Sequence, residues 1–337
     1  FKIFGTSYLL ASILNIILFS VALGVFYSTI TSFFGKARAL ISAAILICYP
    51  TLLIDILYPA AEALYLLLLS LLFYTFLNYL KYEKKIYGAL TAVILGLLTL
   101  TKETFILFPV IIMAIIFIRY LPELKRSLQK IFFLAFIYIF MLLPLLTYNY
   151  HTYGKFALSQ KMARITETLP ANLTPINKEK ASALKKTNSI ASIKNFLWER
   201  KRFFLGTGTY GLMRAFRYNT EKLEKVADNP KDYFRILKEY GWGWRLFQYS
   251  ALLFVIGILL SSFFAIVMLL IKKRIKEAAA FILIIFYFLA AYSWRYNSRY
   301  FIALVPFLAL LSSYSYSIIY NYLRDRIINI SSCHSRS

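Results

Sequence analysis

The sequence predicts an all-α, polytopic helical membrane protein, and three observations carry that prediction. Apolar residues make up 60% of the 337 and the mean hydropathy is +0.64, beyond the usual apolar share of a soluble domain. They fall in runs close to the ~20 residues that a helix needs to cross a bilayer. The cationic residues, 39 Lys and Arg against 15 Asp and Glu, gather in the connectors between runs, on alternate sides, as membrane proteins place them. A formal charge of +24 invites a nucleic-acid reading. No basic patch is interleaved with a recognition motif, however, so nucleic acid is not an expected partner.

Nine spans are expected, at 8–29, 39–55, 60–80, 87–101, 104–120, 131–149, 247–271, 278–294 and 300–321. With residue 1 outside the cytoplasm, connectors 35–38, 81–85, 119–130, 272–276 and 324–326 face inward and hold fifteen Lys and Arg. The short connectors on the other face hold four: Lys2, Lys102, Arg295 and Arg299. This is the positive-inside asymmetry, and the reversed orientation violates it throughout. Residues 151–245 form a long outer loop with nineteen Lys and Arg against eight acids, and long loops translocate largely regardless of charge. Helical spacing in "SIASIKNFLWERKRFFL" and "NPKDYFRILKEY" predicts a small, mostly helical extracytoplasmic domain there. Its Trp198, Trp242 and Trp244 suit either a membrane surface or an ordinary solvated domain. The chain thus divides into an N-terminal membrane region of six spans (1–150), the loop domain (151–245), three further spans (246–323) and a cytoplasmic tail (324–337).

Seven acids lie outside the loop, and four of them, Glu83, Glu123, Glu277 and Asp325, sit in basic inner connectors, where they are expected to be solvated. Asp55, Glu62 and Glu103 instead fall at the outer ends of spans, at the same level as Lys102, Arg295 and Arg299. An ionisable group at the edge of the hydrocarbon costs a few kcal/mol unless it reaches water or a partner, which makes it a functional-site hypothesis by default. Separate snorkelling, or structural pairs such as Glu62 with Arg299, is the alternative. A carboxylate can take the proton of an incoming hydroxyl while Arg and Lys hold a departing phosphate. A lipid phosphate lies naturally at this depth.

Other signals are weak. Cys48 and Cys333 lack CxxC spacing, and His151 and His334 are isolated, so no metal site is expected from them. Gly206-Thr207-Gly208 has no preceding strand and no P-loop Lys. The sequon patterns at Asn172 and Asn329 are common by chance.

The order of features resembles the C-type (GT-C) superfamily of membrane glycosyltransferases, in the branch of dolichyl-phosphate-mannose protein mannosyltransferases and bacterial aminoarabinose transferases. The opening "FKIFGTSYLLASILNIILFSVALGVFYSTITSFFGKARALISAAILICYPTLL" is similar to that family's run from its first outer loop to a span ending at Tyr-Pro. Glu62 follows Pro50 by twelve residues, where members of the branch carry an acid. "GALTAVILGLLTLTKETFILFPVIIM" resembles the hairpin with a basic residue at its tip, here Lys102, and "SRYFIALVPFLALLSSY" resembles the late span that opens on Arg299 and Tyr300.

The resemblance implies inverting transfer of a sugar from a polyprenyl-phosphate donor to a lipid, glycan or protein acceptor, on the extracytoplasmic face of a membrane. Lys102 and Arg299 then bind the donor phosphate, with Arg295 as a weaker contact. Glu62 acts near the acceptor, Asp55 is its neighbouring acid, and Glu103, Tyr58 and Tyr300 give support. No cofactor is implied, and a divalent cation stays compatible with the acids. The family's principal acid, an Asp in the first outer loop, is expected upstream of Phe1, so the sequence is read as N-terminally truncated. High Lys, Ile, Tyr and Phe usage with only 12 Gly points to an AT-rich genome, and the absence of an obvious eukaryotic retention signal points to a prokaryotic plasma membrane. A transporter or lipid flippase, an O-antigen polymerase or ligase, and an inactive partner subunit are the competing expectations.

Overall fold

Glycines, prolines and two left-handed residues decide where one apolar helix stops and the next begins. The computed structural model describes residues 8–57, 61–154, 156, 239, 241–292 and 302–334, with backbone alone at 8, 54, 55, 57, 291, 292 and 322–334, and its regular structure is all helical. Helix α1 (Tyr8–Phe34) closes at Gly35, whose φ of 94° is open to glycine and strained for other residues. The Gly35 N–H bonds Thr31 C=O and its own C=O receives Ala39 N–H, so one residue ends α1 and starts α2 (Lys36–Cys48). Tyr49 is extended, as the residue before a proline tends to be, and Pro50 opens α3 (Pro50–Leu57). The expected span 39–55 is therefore two helices broken at Tyr49.

Helix α4 (Glu62–Tyr82) ends at Glu83, a non-glycine residue at φ 57°. Helix α5 (Lys85–Thr101) ends at the extended Lys102. The expected span 104–120 is also divided, into a 3-10 turn (Glu103–Phe105) and α6 (Phe108–Arg119). Twelve helical residues reach about 18 Å, short of the ~30 Å hydrocarbon core. Helices α7 (Leu124–Tyr153), α8 (Trp242–Ile271), α9 (Ile275–Tyr292) and α10 (Val305–His334) complete the order. Trp242 and Trp244, expected in the loop domain, lie in the first turn of α8. Residues 157–238, including Trp198, lie outside the described residues, and α10 continues as helix past the expected span end at 321.

Five helical segments are long and apolar enough to cross a membrane: Leu9–Phe34, Glu62–Tyr82, Leu124–Tyr153, Trp242–Ile271 and Ile302–Asn321. This supports an integral, all-α membrane protein. Of the other four expected spans, 39–55 and 104–120 are broken, 87–101 lies in the 17-residue α5, and 278–294 lies in the 18-residue α9 as far as the described residues reach. Exposure fits the same environment. Helix α1 turns Leu9, Leu14, Ile17 and Val21 outward, and α7 turns out Phe132, Phe136 and Phe140. Such bare apolar faces suit lipid rather than water.

The helices form two compact units, with α4 contributing to both. In the first, α10 packs against α2 and α8, and residues 302–313 are buried all round. Ser262 Oγ donates to Leu308 C=O (3.0 Å), Ser312 Oγ donates to Ile258 C=O (3.1 Å), and the two hydroxyls lie 3.0 Å apart. Ser315 Oγ donates to Ser261 C=O, and Ser42 Oγ, on α2, comes 3.4 Å from Ala309 C=O. Small side chains let the backbones approach closely enough for these bonds. An aromatic line, Phe26, Phe73, Phe307 and Phe288, joins α1, α4, α10 and α9 with ring centroids 4.8–6.1 Å apart.

The second unit runs from Thr75 through α7. Gly88, Ala92 and Gly96 recur every fourth residue on α5, so they share one face. Ala92 is fully buried, and an added Cβ at Gly96 meets Met141 Cβ at 2.7 Å. At Gly88 it meets the Tyr79 ring at 2.8 Å. Helices α5 and α7 thus pack at a separation that only glycine allows. Gly96→Ala is expected to lower stability by about 1–3 kcal/mol, read as a lower thermal unfolding midpoint in detergent. Gly24→Ala, where an added Cβ meets nothing within 4 Å, is expected to be neutral or slightly stabilising.

Candidate functional site

The outer-end charges predicted from sequence divide between the two units. Glu62 is the first residue of α4 and is 7% exposed. A carboxylate at a helix N-terminus is favoured by the helix dipole and by the unbonded N–H groups of the first turn. Tyr65, one turn on and on the same face, is fully buried. Asp55 lies in α3 of the same unit, with its side chain outside the described residues. Tyr58, Arg295, Arg299 and Tyr300 also lie outside them.

In the second unit Lys102 sits at the tip of the α5–α6 hairpin. Its N–H bonds Leu98 C=O at 2.9 Å, and its C=O receives Phe105 N–H at 3.0 Å, so its backbone closes one helix and begins the 3-10 turn. The ammonium nitrogen is buried. Glu103, the next residue, is exposed. The tip is pinned from α7: the Tyr138 hydroxyl donates to Ile106 C=O at 3.1 Å and lies 3.1 Å from Thr99 Oγ1. Thr99 Oγ1 is also 3.0 Å from Leu95 C=O and 3.4 Å from Phe105 C=O. One phenol therefore fixes both sides of the turn that carries Lys102.

The opposite end of this unit holds a feature that sequence reasoning missed. Glu83, expected to be a solvated acid, accepts hydrogen bonds from Tyr120 Oη (2.7 Å) and Arg126, and lies 3.3 Å from Lys130 Nζ. The Lys130 side chain is 11% exposed, and its ammonium lies 4.8 Å from the Tyr79 ring centroid and 4.5 Å from that of Tyr120. Arg126 also bonds Glu123 at 2.7 Å. In the first unit, Glu277 likewise pairs with Arg274 at 3.0 Å. These contacts explain why Glu83 keeps a carboxylate at a left-handed position where glycine is usual. They also tie connectors 81–85 and 119–130 to one end of the unit, as alternating spans require. The only available sequence signal was the concentration of Lys and Arg around lone acids.

Burial pulls the Glu83 carboxyl upward, but the Tyr120 and Arg126 hydrogen bonds and the Lys130 charge outweigh it and hold the group below its ordinary 4.5. Burial and the bond to Glu83 push the Tyr120 phenol up to about 12. Among the described residues, no three His, Cys, Asp or Glu side chains are grouped to hold a metal ion. Compared with protein-family models, curated proteins and solved structures, the chain matches none of them.

Because the folded value of Glu83 is depressed, its stabilising contribution is complete above the ordinary 4.5 and is lost as pH falls through the lower folded value. Thermal unfolding in detergent is expected to show wild type losing more stability than Glu83→Gln as pH drops below 4.5. Parallel pH curves for the two proteins contradict the assignment.

Proposed function

We propose that this chain is a membrane-embedded glycosyltransferase that moves a sugar from a polyprenyl-phosphate carrier to an acceptor on the extracytoplasmic face of a prokaryotic plasma membrane. The observation that carries the reading is Lys102, whose ammonium is buried at a hairpin tip pinned by Tyr138 and Thr99. The buried acid Glu62 at the start of α4 supports it, as does the resemblance of the motif order to the C-type glycosyltransferases.

In this mechanism the donor's sugar–phosphate C–O bond breaks, and the phosphate oxygen leaves with the electron pair. Lys102 and Arg299, with Arg295 as a weaker contact, take up the negative charge gathering on that phosphate. The acceptor hydroxyl oxygen attacks the anomeric carbon from the opposite face, which inverts it, and a carboxylate accepts the hydroxyl proton. Glu62 orients the acceptor hydroxyl or assists the proton transfer. Asp55 is the nearest acid in sequence, and Glu103, Tyr58 and Tyr300 hold the surrounding geometry. Lipid, glycan and protein acceptors all meet these requirements.

Full-length protein assayed with a polyprenyl-phosphate sugar is expected to transfer the sugar. Glu62→Gln and Arg299→Ala should each lower the rate by roughly 100-fold or more at unchanged expression. Unchanged transfer in both variants sinks the site assignment. Accumulation of labelled donor across vesicles with its covalent structure intact marks a transporter instead.

A further inference from the structure

We propose that the end of the first unit formed by the α1–α2 and α8–α9 turns binds the phosphate headgroup of an anionic phospholipid, on a platform built around Tyr314. The Gly35 turn places Arg38 in the first turn of α2. Helix α8 ends at Ile271, and the chain reverses through Lys272, the left-handed Lys273 and Arg274, closed by Lys273 N–H to Leu270 C=O (2.9 Å) and Arg274 N–H to Leu269 C=O (2.8 Å). Two segments far apart in sequence then meet on one ring of α10. Arg38 Cζ lies 4.9 Å and Lys272 Nζ 6.0 Å from the centroid of Tyr314. That ring packs against the cluster of Ala265, Leu269, Ala278 and Leu311, which fixes the platform.

The charge there is not balanced by protein. Arg274 is matched by Glu277, with Nε 3.2 Å and Nη2 3.0 Å from one carboxylate oxygen. Among the described residues, no carboxylate pairs with Arg38 or Lys272. The sidedness rule asks only that cations lie in these connectors. It does not ask two of them to converge on one aromatic ring, where their like charges repel. An anion seated against both relieves that repulsion.

The rim shows which anion fits. Leu40, Leu270, Ile271 and Ile275, all beside these cations in sequence, are exposed, Ile271 by 67%. Soluble phosphate has no use for an apolar rim. A phospholipid satisfies both parts, with its phosphate on Arg38 and Lys272 and its acyl chains on the exposed Leu and Ile side chains. Clusters of Lys and Arg immediately beside a membrane span attract anionic lipid in this way.

The test uses the full chain in neutral detergent, with native mass spectrometry and thermal unfolding. The probes are phosphatidylglycerol, phosphatidylcholine and inorganic phosphate. The expected result is preferential retention of phosphatidylglycerol over phosphatidylcholine, with a higher unfolding midpoint that inorganic phosphate does not reproduce. The double variant Arg38→Gln with Lys272→Gln should weaken phosphatidylglycerol binding about tenfold or more, and the exposed single change Lys272→Gln roughly fivefold. Lys272→Arg should retain binding, and Lys125→Gln, in the second unit, should leave it unchanged. The single Lys272 variant decides the matter if the double variant does not fold. The proposal is overturned by no preference between the two lipids, by wild-type binding in the Lys272→Gln variant, or by an equal shift from inorganic phosphate.

Discussion

Helices in lipid must associate without the hydrophobic effect that drives soluble folding, and the rest of this structure follows from that constraint. Backbone groups inside a bilayer are satisfied within each helix. What then holds helices together is close packing and the few hydrogen bonds that close packing permits. Ser262 and Ser312 supply such bonds between α8 and α10, and Ser42 brings α2 onto the same partner. Each bond is worth about 0.6 kcal/mol, so the larger share comes from the contact area opened by small side chains. Gly88, Ala92 and Gly96 do the same for α5 without a polar group.

Tight pairing in the interior leaves the charged groups to the helix ends. At one end of the second unit, Tyr138 reaches from α7 to two points of the α5–α6 turn and so sets the position of Lys102. At its other end, Glu83 gathers Tyr120, Arg126 and Lys130. The same α5–α7 contact therefore stands between a buried cation at one tip and an ion-pair cluster at the other. A change that widens the contact, such as a side chain at Gly96, is felt at both.

Long apolar runs made the membrane class and the all-α architecture legible from sequence, because each run reports its own environment. Interruptions were harder. Pro50 was visible but lay inside the expected span 39–55, whereas it divides that stretch into α2 and α3. The brevity of α6 follows from the 3-10 turn after Lys102, which depends on Tyr138, a residue 39 positions from Thr99. Glu83 was misread for a similar reason, since its partner Tyr120 lies 37 positions away. Gly88 and Gly96 were not singled out in the sequence, because what makes them matter is which bulky residues, Tyr79 and Met141, lie opposite. For the candidate site, Glu62 and Lys102 stood out in the sequence as charges within apolar runs; Glu62 is buried, and Lys102 is half-buried with its ammonium nitrogen inside.

The proposed transfer needs Glu62 and Lys102 on the extracytoplasmic side, with the basic connectors on the other. Single cysteines introduced at Ala61 and at Ala37, with Cys48 and Cys333 replaced, place the two faces directly when intact cells are treated with a membrane-impermeant maleimide. The expected result is labelling at position 61 in intact cells and at position 37 only after lysis. Labelling at 37 but not at 61 in intact cells contradicts the orientation, and with it the extracytoplasmic transfer reaction.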